Sequence, residues 1–138
     1  MEENKEKAQE LFMEFQALEQ HIKQLQKQLE MITSQLVDLT VTNNSLDEFA
    51  KIDTKKEIFV PLNSGIFAKA SIIDTKELLV NVGANVVVKK DVQSTKKLIS
   101  KQIAEIRNVQ KRMVDELEKM TSHAAELEGK IQKLVSEE

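Results

Sequence analysis

The N-terminal third of the chain carries an unbroken heptad pattern, and this pattern limits the possible folds more than any other feature. Nine successive seam positions, alternately four and three residues apart, are apolar: Leu11, Phe15, Leu18, Ile22, Leu25, Leu29, Ile32, Leu36 and Leu39. With 41% of the chain apolar, nine matches in a chosen register arise by chance with a probability of about 0.0003. The pattern therefore predicts a long helix that packs against another helix through its a and d positions.

The C-terminal third has the same spacing. Its two sets of seam positions hold Val92, Ile99, Ile106, Met113, Met120, Leu127 and Leu134, and Ile103, Leu117, Ala124 and Ile131. Because the two stripes are similar in length and about 40 residues lie between them, we expect one antiparallel coiled-coil hairpin within the chain. A parallel homodimer through the helices is the alternative, and it would leave the middle segment halfway along a rod.

Polar residues interrupt both stripes near the middle segment. Pairing Glu48 with Asp91 places Asn43 level with Lys96, so that neither polar residue faces a leucine. Polar residues at seam positions fix the alignment of coiled coils at some cost in stability. The sequence therefore favours a register in which Asn43 and Lys96 meet.

The middle segment has the shorter period of β-strands. Four runs rich in β-branched and aromatic residues cover 58–62, 66–72, 78–82 and 86–89, with turn residues at 63–65 and 83–85. Such runs predict two β-hairpins. Pro61 cannot donate a backbone hydrogen bond, so we place its strand at a sheet edge.

Two hairpins of this size cannot close a core by themselves, because their strand edges stay open and their apolar faces stay uncovered. We therefore expect hairpins of several subunits to combine into an oligomeric β-barrel. The apolar residues predicted to form this assembly surface are Ile58, Phe59, Val60, Leu62, Ile66, Phe67, Ile72, Leu78, Leu79, Val80, Val82, Val86, Val87 and Val88.

Composition excludes several classes of function. The chain has no Cys, which rules out disulfides, Cys-ligated zinc and a thiol nucleophile. A net charge of -3 argues against a nucleic-acid partner, and no apolar run is long enough to cross a membrane. The N-terminus lacks the apolar core of a signal peptide, so we expect a cytoplasmic protein.

No catalytic, cofactor or metal site is predicted. His21 and His123 lie beside the seam without a compact ligand motif, and we interpret them as surface residues, although Glu19 or Glu126 could complete a site. The acidic residues lie on solvated faces, and no glycine-rich phosphate loop is present. We therefore predict that the chain is not an enzyme.

An antiparallel hairpin brings both termini to one tip, where the helix ends lack caps and fray. Eight apolar residues there are predicted to bind non-native chains: Leu11, Phe12, Met13, Phe15, Leu127, Ile131, Leu134 and Val135. Five of them are seam residues, whereas Phe12, Met13 and Val135 are off the seam. For the seam residues, closing the end of the coil is an equally good interpretation.

The order helix, two β-hairpins, helix resembles that of prefoldin alpha-type subunits. Its most specific segments are Val-Pro-Leu-Asn-Ser-Gly-Ile-Phe at 60–67 and Leu-Val-Asn-Val-Gly-Ala-Asn-Val-Val-Val-Lys-Lys at 79–90. Asn85 stands where the family often has Gly, and Asn tolerates positive φ. The resemblance covers the chain as one prefoldin-like unit, with helices at 1–48 and 91–136 and hairpins at 57–90.

The resemblance implies a fold and a function. Two alpha-type and four beta-type subunits would form a double β-barrel from which six coiled-coil arms project. The arm tips would hold unfolded polypeptides without ATP and pass them to a group II chaperonin. A structural adaptor that tethers folded partners through the same architecture is the alternative.

Overall fold

A computed structural model describes residues 2–137 as two long helices that flank two β-hairpins. The elements are α1 (Glu2–Ala50), β1 (Glu57–Asn63), β2 (Ile66–Ser71), β3 (Leu78–Gly83), β4 (Val86–Lys90) and α2 (Val92–Ser136). This arrangement confirms the predicted fold class, which is mainly helical with two small antiparallel hairpins. The barrel is not part of a single chain.

The chain forms two compact units. The helical unit contains the described residues up to Leu36 and from Ile106 onward, and the hairpin unit is Val37–Glu105. Both helices contribute to each unit, α1 with its N-terminal part to the helical unit and its C-terminal part to the hairpin unit.

Within the helical unit the two helices run antiparallel. Gln110 Nε2 donates a hydrogen bond to Thr33 Oγ1 at 3.1 Å, and His123 Nε2 lies 3.3 Å from Glu14 Oε1. Moving toward the N-terminus of α1, from Thr33 to Glu14, the partner on α2 moves toward its C-terminus, from Gln110 to His123. This confirms the predicted antiparallel direction in this unit.

The seam positions form the packed stripe of the helical unit. Leu25 and Leu127 are buried, and the other seam residues of both helices in this unit are half-buried. Between them stand exposed Lys, Glu, Gln and Ser residues. Two helices bury only the side chains that face each other, so half-burial is the expected state of most positions in such a stripe.

The hairpin unit contains a second part of the helix pair, where Val92, Thr95 and Ile99 are buried. Here the predicted register is wrong by one helical turn. Asn43 Nδ2 lies 3.5 Å from Ser100 Oγ, whereas the Lys96 ammonium forms an ion pair with Asp47. A flexible lysine gains more from a carboxylate than from an amide, because both partners of that contact are charged.

Each β-hairpin is a separate two-stranded antiparallel sheet, β1 with β2 and β3 with β4. The two-residue turns consist of Ser64–Gly65 and Ala84–Asn85, and all four residues have positive φ, between 49° and 78°. Two-residue turns of this kind match the twist of the adjoining strands. Asn85, with φ of 61°, occupies the left-handed conformation that the sequence predicts for it.

Asp91 caps the N-terminus of α2. Its Oδ1 accepts a hydrogen bond from the Ser94 backbone N–H at 2.7 Å, and its carbonyl oxygen accepts one from the Thr95 hydroxyl at 2.8 Å. The hydrogen bonds from Ser94, with smaller contributions from the charges of Lys90 and Lys97, lower the pKa of the Asp91 carboxyl below its ordinary value of 3.8.

The cap makes a pH-dependent contribution to stability. Because the pKa is lower in the folded chain, the stabilisation is present above pH 3.8 and is lost as the pH falls through the folded-state pKa. We expect Asp91→Ala to lower the urea midpoint at pH 7 and to differ much less from the wild type near pH 2.5.

Asp91→Asn is the matched control, since asparagine caps helices without titrating. Its midpoint relative to Asp91→Ala should not change between the two pH values. A difference between the wild type and Asp91→Ala that is the same at pH 7 and pH 2.5 would contradict this role of the carboxylate.

Candidate binding surfaces

The eight predicted client-binding residues differ sharply in exposure. Phe12, Met13 and Val135 expose 50%, 70% and 59% of their surface. These three exposed residues, two in the N-terminal part of α1 and one near the C-terminal end of α2, are together called the terminal patch below. Four of the other predicted residues are half-buried, namely Leu11, Phe15, Ile131 and Leu134. The remaining one, Leu127, is buried.

Only 2% of the surface of Leu127 is exposed, and it is the most deeply buried large side chain within residues 2–137. A client could touch it only if the helices separated. We therefore assign Leu127 to the packing of the helix pair and not to a client-contacting surface.

An open groove runs beside Phe15 on one side of the helix pair, with a volume of about 410 Å³. It is called the Phe15 groove, and its lining residues are Phe15, Glu19, Ile22, Lys23, Gln26, Thr121, Ala124, Ala125 and Glu128. Ala124 occupies a seam position at which most others hold Leu, Ile or Met. Its methyl group leaves Phe15 and Ile22 incompletely covered, and charged residues form the rim.

Phe12 lies on the same face of α1 as this groove. It precedes Phe15 by three residues and Glu19 by seven, the spacing of neighbours on one side of a helix. The exposed ring of Phe12 therefore lies on the side of α1 that carries the groove, nearer to the N-terminus of the helix. The sequence prediction missed the groove, although a small residue at a seam position was a signal for it.

A smaller groove of about 180 Å³ lies elsewhere on the helix pair. Its lining combines three seam residues with polar ones: Leu25, Met113 and Met120, with His21, Gln24, Gln28 and Glu116. The two methionines are half-buried, and flexible thioether side chains adapt to irregular neighbours.

His123 lies beside two carboxylates on the surface of the helical unit. Besides its contact with Glu14, its Nδ1 lies 4.0 Å from Glu126 Oε2, and all three side chains are about half or more exposed. Within residues 2–137 no group of three or more His, Cys, Asp or Glu side chains is arranged to hold a metal ion. His21 lies in the smaller groove, so the two histidines do not form one site.

The hairpin unit displays most of the predicted assembly surface. Five of its residues are half-buried, namely Ile58, Ile72, Leu78, Val80 and Val88. The other nine are exposed, namely Phe59, Val60, Leu62, Ile66, Phe67, Leu79, Val82, Val86 and Val87. So many exposed large apolar side chains on about 35 residues are typical of a surface that another protein covers.

Both faces of the first hairpin carry apolar side chains. Phe59 is opposite Lys69 and Phe67 is opposite Pro61, which places both phenylalanines on one face. Val60 is opposite Ala68, on the other face. A solvated antiparallel hairpin would keep one face polar, whereas here the Glu57–Lys69 ion pair shares its face with the exposed rings of Phe59 and Phe67.

Comparison with known families decides the relationship of the chain. The model of the family described as Prefoldin subunit matches residues 18–137. The chain belongs to the prefoldin family. A solved structure of filamentous PFD from Methanocaldococcus jannaschii is similar over 94% of this chain and 99% of that chain, with a TM-score of 0.59 and 19% identity. At this identity the likeness shows the prefoldin fold. A search of curated proteins finds no match.

Membership in the prefoldin family makes the chain a chaperone-type subunit, from a family that is not enzymatic. Of the helices described, neither is long and apolar enough to cross a membrane. The family and the fold are thus established, whereas the roles of the exposed residues described above remain predictions.

The Phe15 groove leads to a stability prediction. Ala124→Leu should cover Phe15 and Ile22 and raise the free energy of unfolding by about 1 kcal/mol, because leucine adds three carbon atoms that would be partly buried at this half-buried position. Thermal unfolding followed by circular dichroism measures the effect. Ala17→Leu, at an exposed position outside the groove, is the matched control and should change stability little. Destabilisation by Ala124→Leu alone would mean that the groove is too tight for a leucine.

Proposed function

We propose that this chain is the alpha-type subunit of a cytoplasmic prefoldin, which holds unfolded polypeptides without ATP and transfers them to a group II chaperonin. The observation that carries the proposal is the pair of β-hairpins with large exposed apolar residues in a prefoldin-family chain. Two hairpins in one subunit are the feature that distinguishes the alpha type from the one-hairpin beta type.

The hairpins are the assembly surface in this proposal. Each strand has one edge without a partner in its two-stranded sheet, and such edges accept further strands through backbone hydrogen bonds. Hairpins from two alpha-type and four beta-type subunits would close these edges and bury the exposed side chains. Closure into barrels removes every free edge, which is the strongest physical reason for this form of assembly.

Assembly of the chain with itself is the second candidate. The M. jannaschii structure that shares its fold is described as filamentous. The same open edges and apolar faces would serve a homo-oligomer or a filament as well as a hexamer with beta-type partners.

Native mass spectrometry distinguishes these assemblies. Co-expression with a beta-type subunit should give a species with two copies of this chain and four of the partner. An open series of homo-oligomers that persists with the partner present would favour self-assembly. A stable monomer under both conditions would contradict assembly through the hairpins altogether.

The terminal patch and the Phe15 groove are the client-binding surface in this proposal. Phe12 and Met13 offer an aromatic ring and a flexible thioether that no seam contact requires, and the adjoining groove exposes part of Phe15. Small adaptable apolar surfaces suit clients without a fixed sequence. Each would bind weakly, and several arms on one body would raise the overall affinity through effective concentration.

Removal of the terminal patch should weaken client capture. Full burial of a Phe or Met side chain contributes about 1.5–3 kcal/mol. A client that buries only part of each would lose about 1.4 kcal/mol in all, so we expect Phe12→Ser with Met13→Ser to require roughly tenfold more assembly to suppress aggregation of a denatured protein by half. The measurement is light scattering of a chemically unfolded client diluted into buffer.

Met31→Ser is the matched control for this test. Met31 exposes 72% of its surface in the same helical unit but lies about five helical turns from Phe12. Its variant should suppress aggregation like the wild type. Equal suppression by the terminal-patch variant, with helix content and assembly unchanged, would favour the adaptor alternative, in which the arms tether folded partners.

A further inference from the structure

The two β-hairpins have the same strand register, displaced by twenty residues. In β1 and β2 the pairs are Ile58↔Ala70, Phe59↔Lys69, Val60↔Ala68, Pro61↔Phe67 and Asn63↔Ile66. In β3 and β4 they are Leu78↔Lys90, Leu79↔Lys89, Val80↔Val88, Asn81↔Val87 and Gly83↔Val86. Every residue of the first set corresponds to the residue twenty positions later in the second.

The irregular features of the hairpins coincide as well. Each first strand has its register shift at the same place, between Pro61 and Asn63 and between Asn81 and Gly83. The first residue of each turn has φ of 49°. A bulge and a turn together determine how strongly a hairpin twists and where its edge points, so the two hairpins present edges of the same geometry.

The polar contacts that frame the hairpins are also repeated. Lys69 Nζ lies 3.8 Å from Glu57, and Lys89 Nζ lies 3.7 Å from Glu77. Ahead of each hairpin stands the sequence Asp-Thr-Lys, in which the carboxylate accepts the lysine backbone N–H: Asp53 from Lys55 at 2.9 Å and Asp74 from Lys76 at 2.7 Å.

Equivalent positions also expose equivalent apolar surface. Phe59 and Leu79 expose 64% and 71% of their surface, and Phe67 and Val87 expose 60% and 53%. The side chains differ in size but share hydrophobicity and place. These positions therefore offer two similar contact surfaces to whatever covers the hairpins.

We infer that the two hairpins are two copies of one binding unit, each of which accepts a β-hairpin of a neighbouring prefoldin-family subunit in the same way. This inference rests on the proposed assembly through the hairpins, and it adds that their two partner sites are equivalent and interchangeable. The chain is then bivalent for one kind of partner surface.

A β-hairpin is the occupant that fits this unit. The strands are five to seven residues long and each has an unpaired edge. Strand addition obtains its affinity mainly from backbone hydrogen bonds, with side-chain pockets adding specificity. Two edges of one geometry will therefore accept the same backbone, even where Leu replaces Phe or Val replaces Phe.

The equivalence is a testable claim because the two copies are not identical. Pro61 corresponds to Asn81 and Ala70 to Lys90, so one copy lacks a backbone donor and the other carries an additional charge. If either difference makes its hairpin bind a different partner surface, one copy will not replace the other.

Exchange of the segments tests the inference directly. Residues 77–90 are replaced by a copy of 57–70 in one chimera, and 57–70 by a copy of 77–90 in the other, with no change in chain length. Each chimera is co-expressed with a beta-type subunit and weighed by native mass spectrometry. Both should give the same subunit ratio as the wild type. Loss of partners by either chimera, with helix content retained, would overturn the equivalence.

Matched point variants provide the second measurement, and they decide the matter if a chimera does not fold. Phe59→Asp and Leu79→Asp occupy equivalent positions, so each should halve the number of beta-type subunits bound per chain, and the double variant should bind none. Abolition by one variant and no effect from the other would refute the inference. Failure of the wild type itself to bind a partner would instead refute the proposed assembly.

Discussion

Two helices that pack side by side bury only the narrow stripe of side chains between them, and the rest of this protein depends on that limit. The buried apolar residues among those described are Leu25, Val92, Ile99 and Leu127. Most other seam residues keep part of their surface in water. Stability is therefore distributed along the stripe in small increments, and the two grooves described on the helical unit are open to solvent.

The two β-hairpins bury even less of their apolar surface than the helix pair does. A two-stranded sheet has no interior, and an isolated hairpin is marginally stable in water. Their turns and the Asp-Thr-Lys segments ahead of them fix the local backbone by short-range hydrogen bonds, so the strands can be arranged before a partner arrives. Their apolar side chains remain to be covered. The conformation of the hairpins is thus encoded locally, whereas their stability requires other subunits.

The sequence was sufficient for the fold because heptads and β-turns are local patterns. The a and d positions predicted the buried stripe, and the turn residues predicted both hairpins, including the left-handed Asn85. The register of the helix pair was predicted incorrectly, because spacing alone does not reveal that Lys96 reaches Asp47 in preference to Asn43. Two further features required the structure. The Phe15 groove depends on which side chains stand opposite Ala124, and the equivalence of the hairpins became clear from strand pairing, since Pro61 and Asn81 obscure it in the sequence.

The seam residues of α1 and those of α2 are far apart in the sequence, and this separation affects folding during synthesis on the ribosome. Leu25 shares a groove with Met113, and about ninety residues separate them along the chain. At 5–20 residues per second, the N-terminal half of the stripe waits roughly 5–20 s for its partner. During this interval the nascent subunit displays an unpaired row of leucines and isoleucines, which is the kind of surface that a chaperone binds. In the function proposed above, a newly made subunit would itself be a client of assemblies that are already complete.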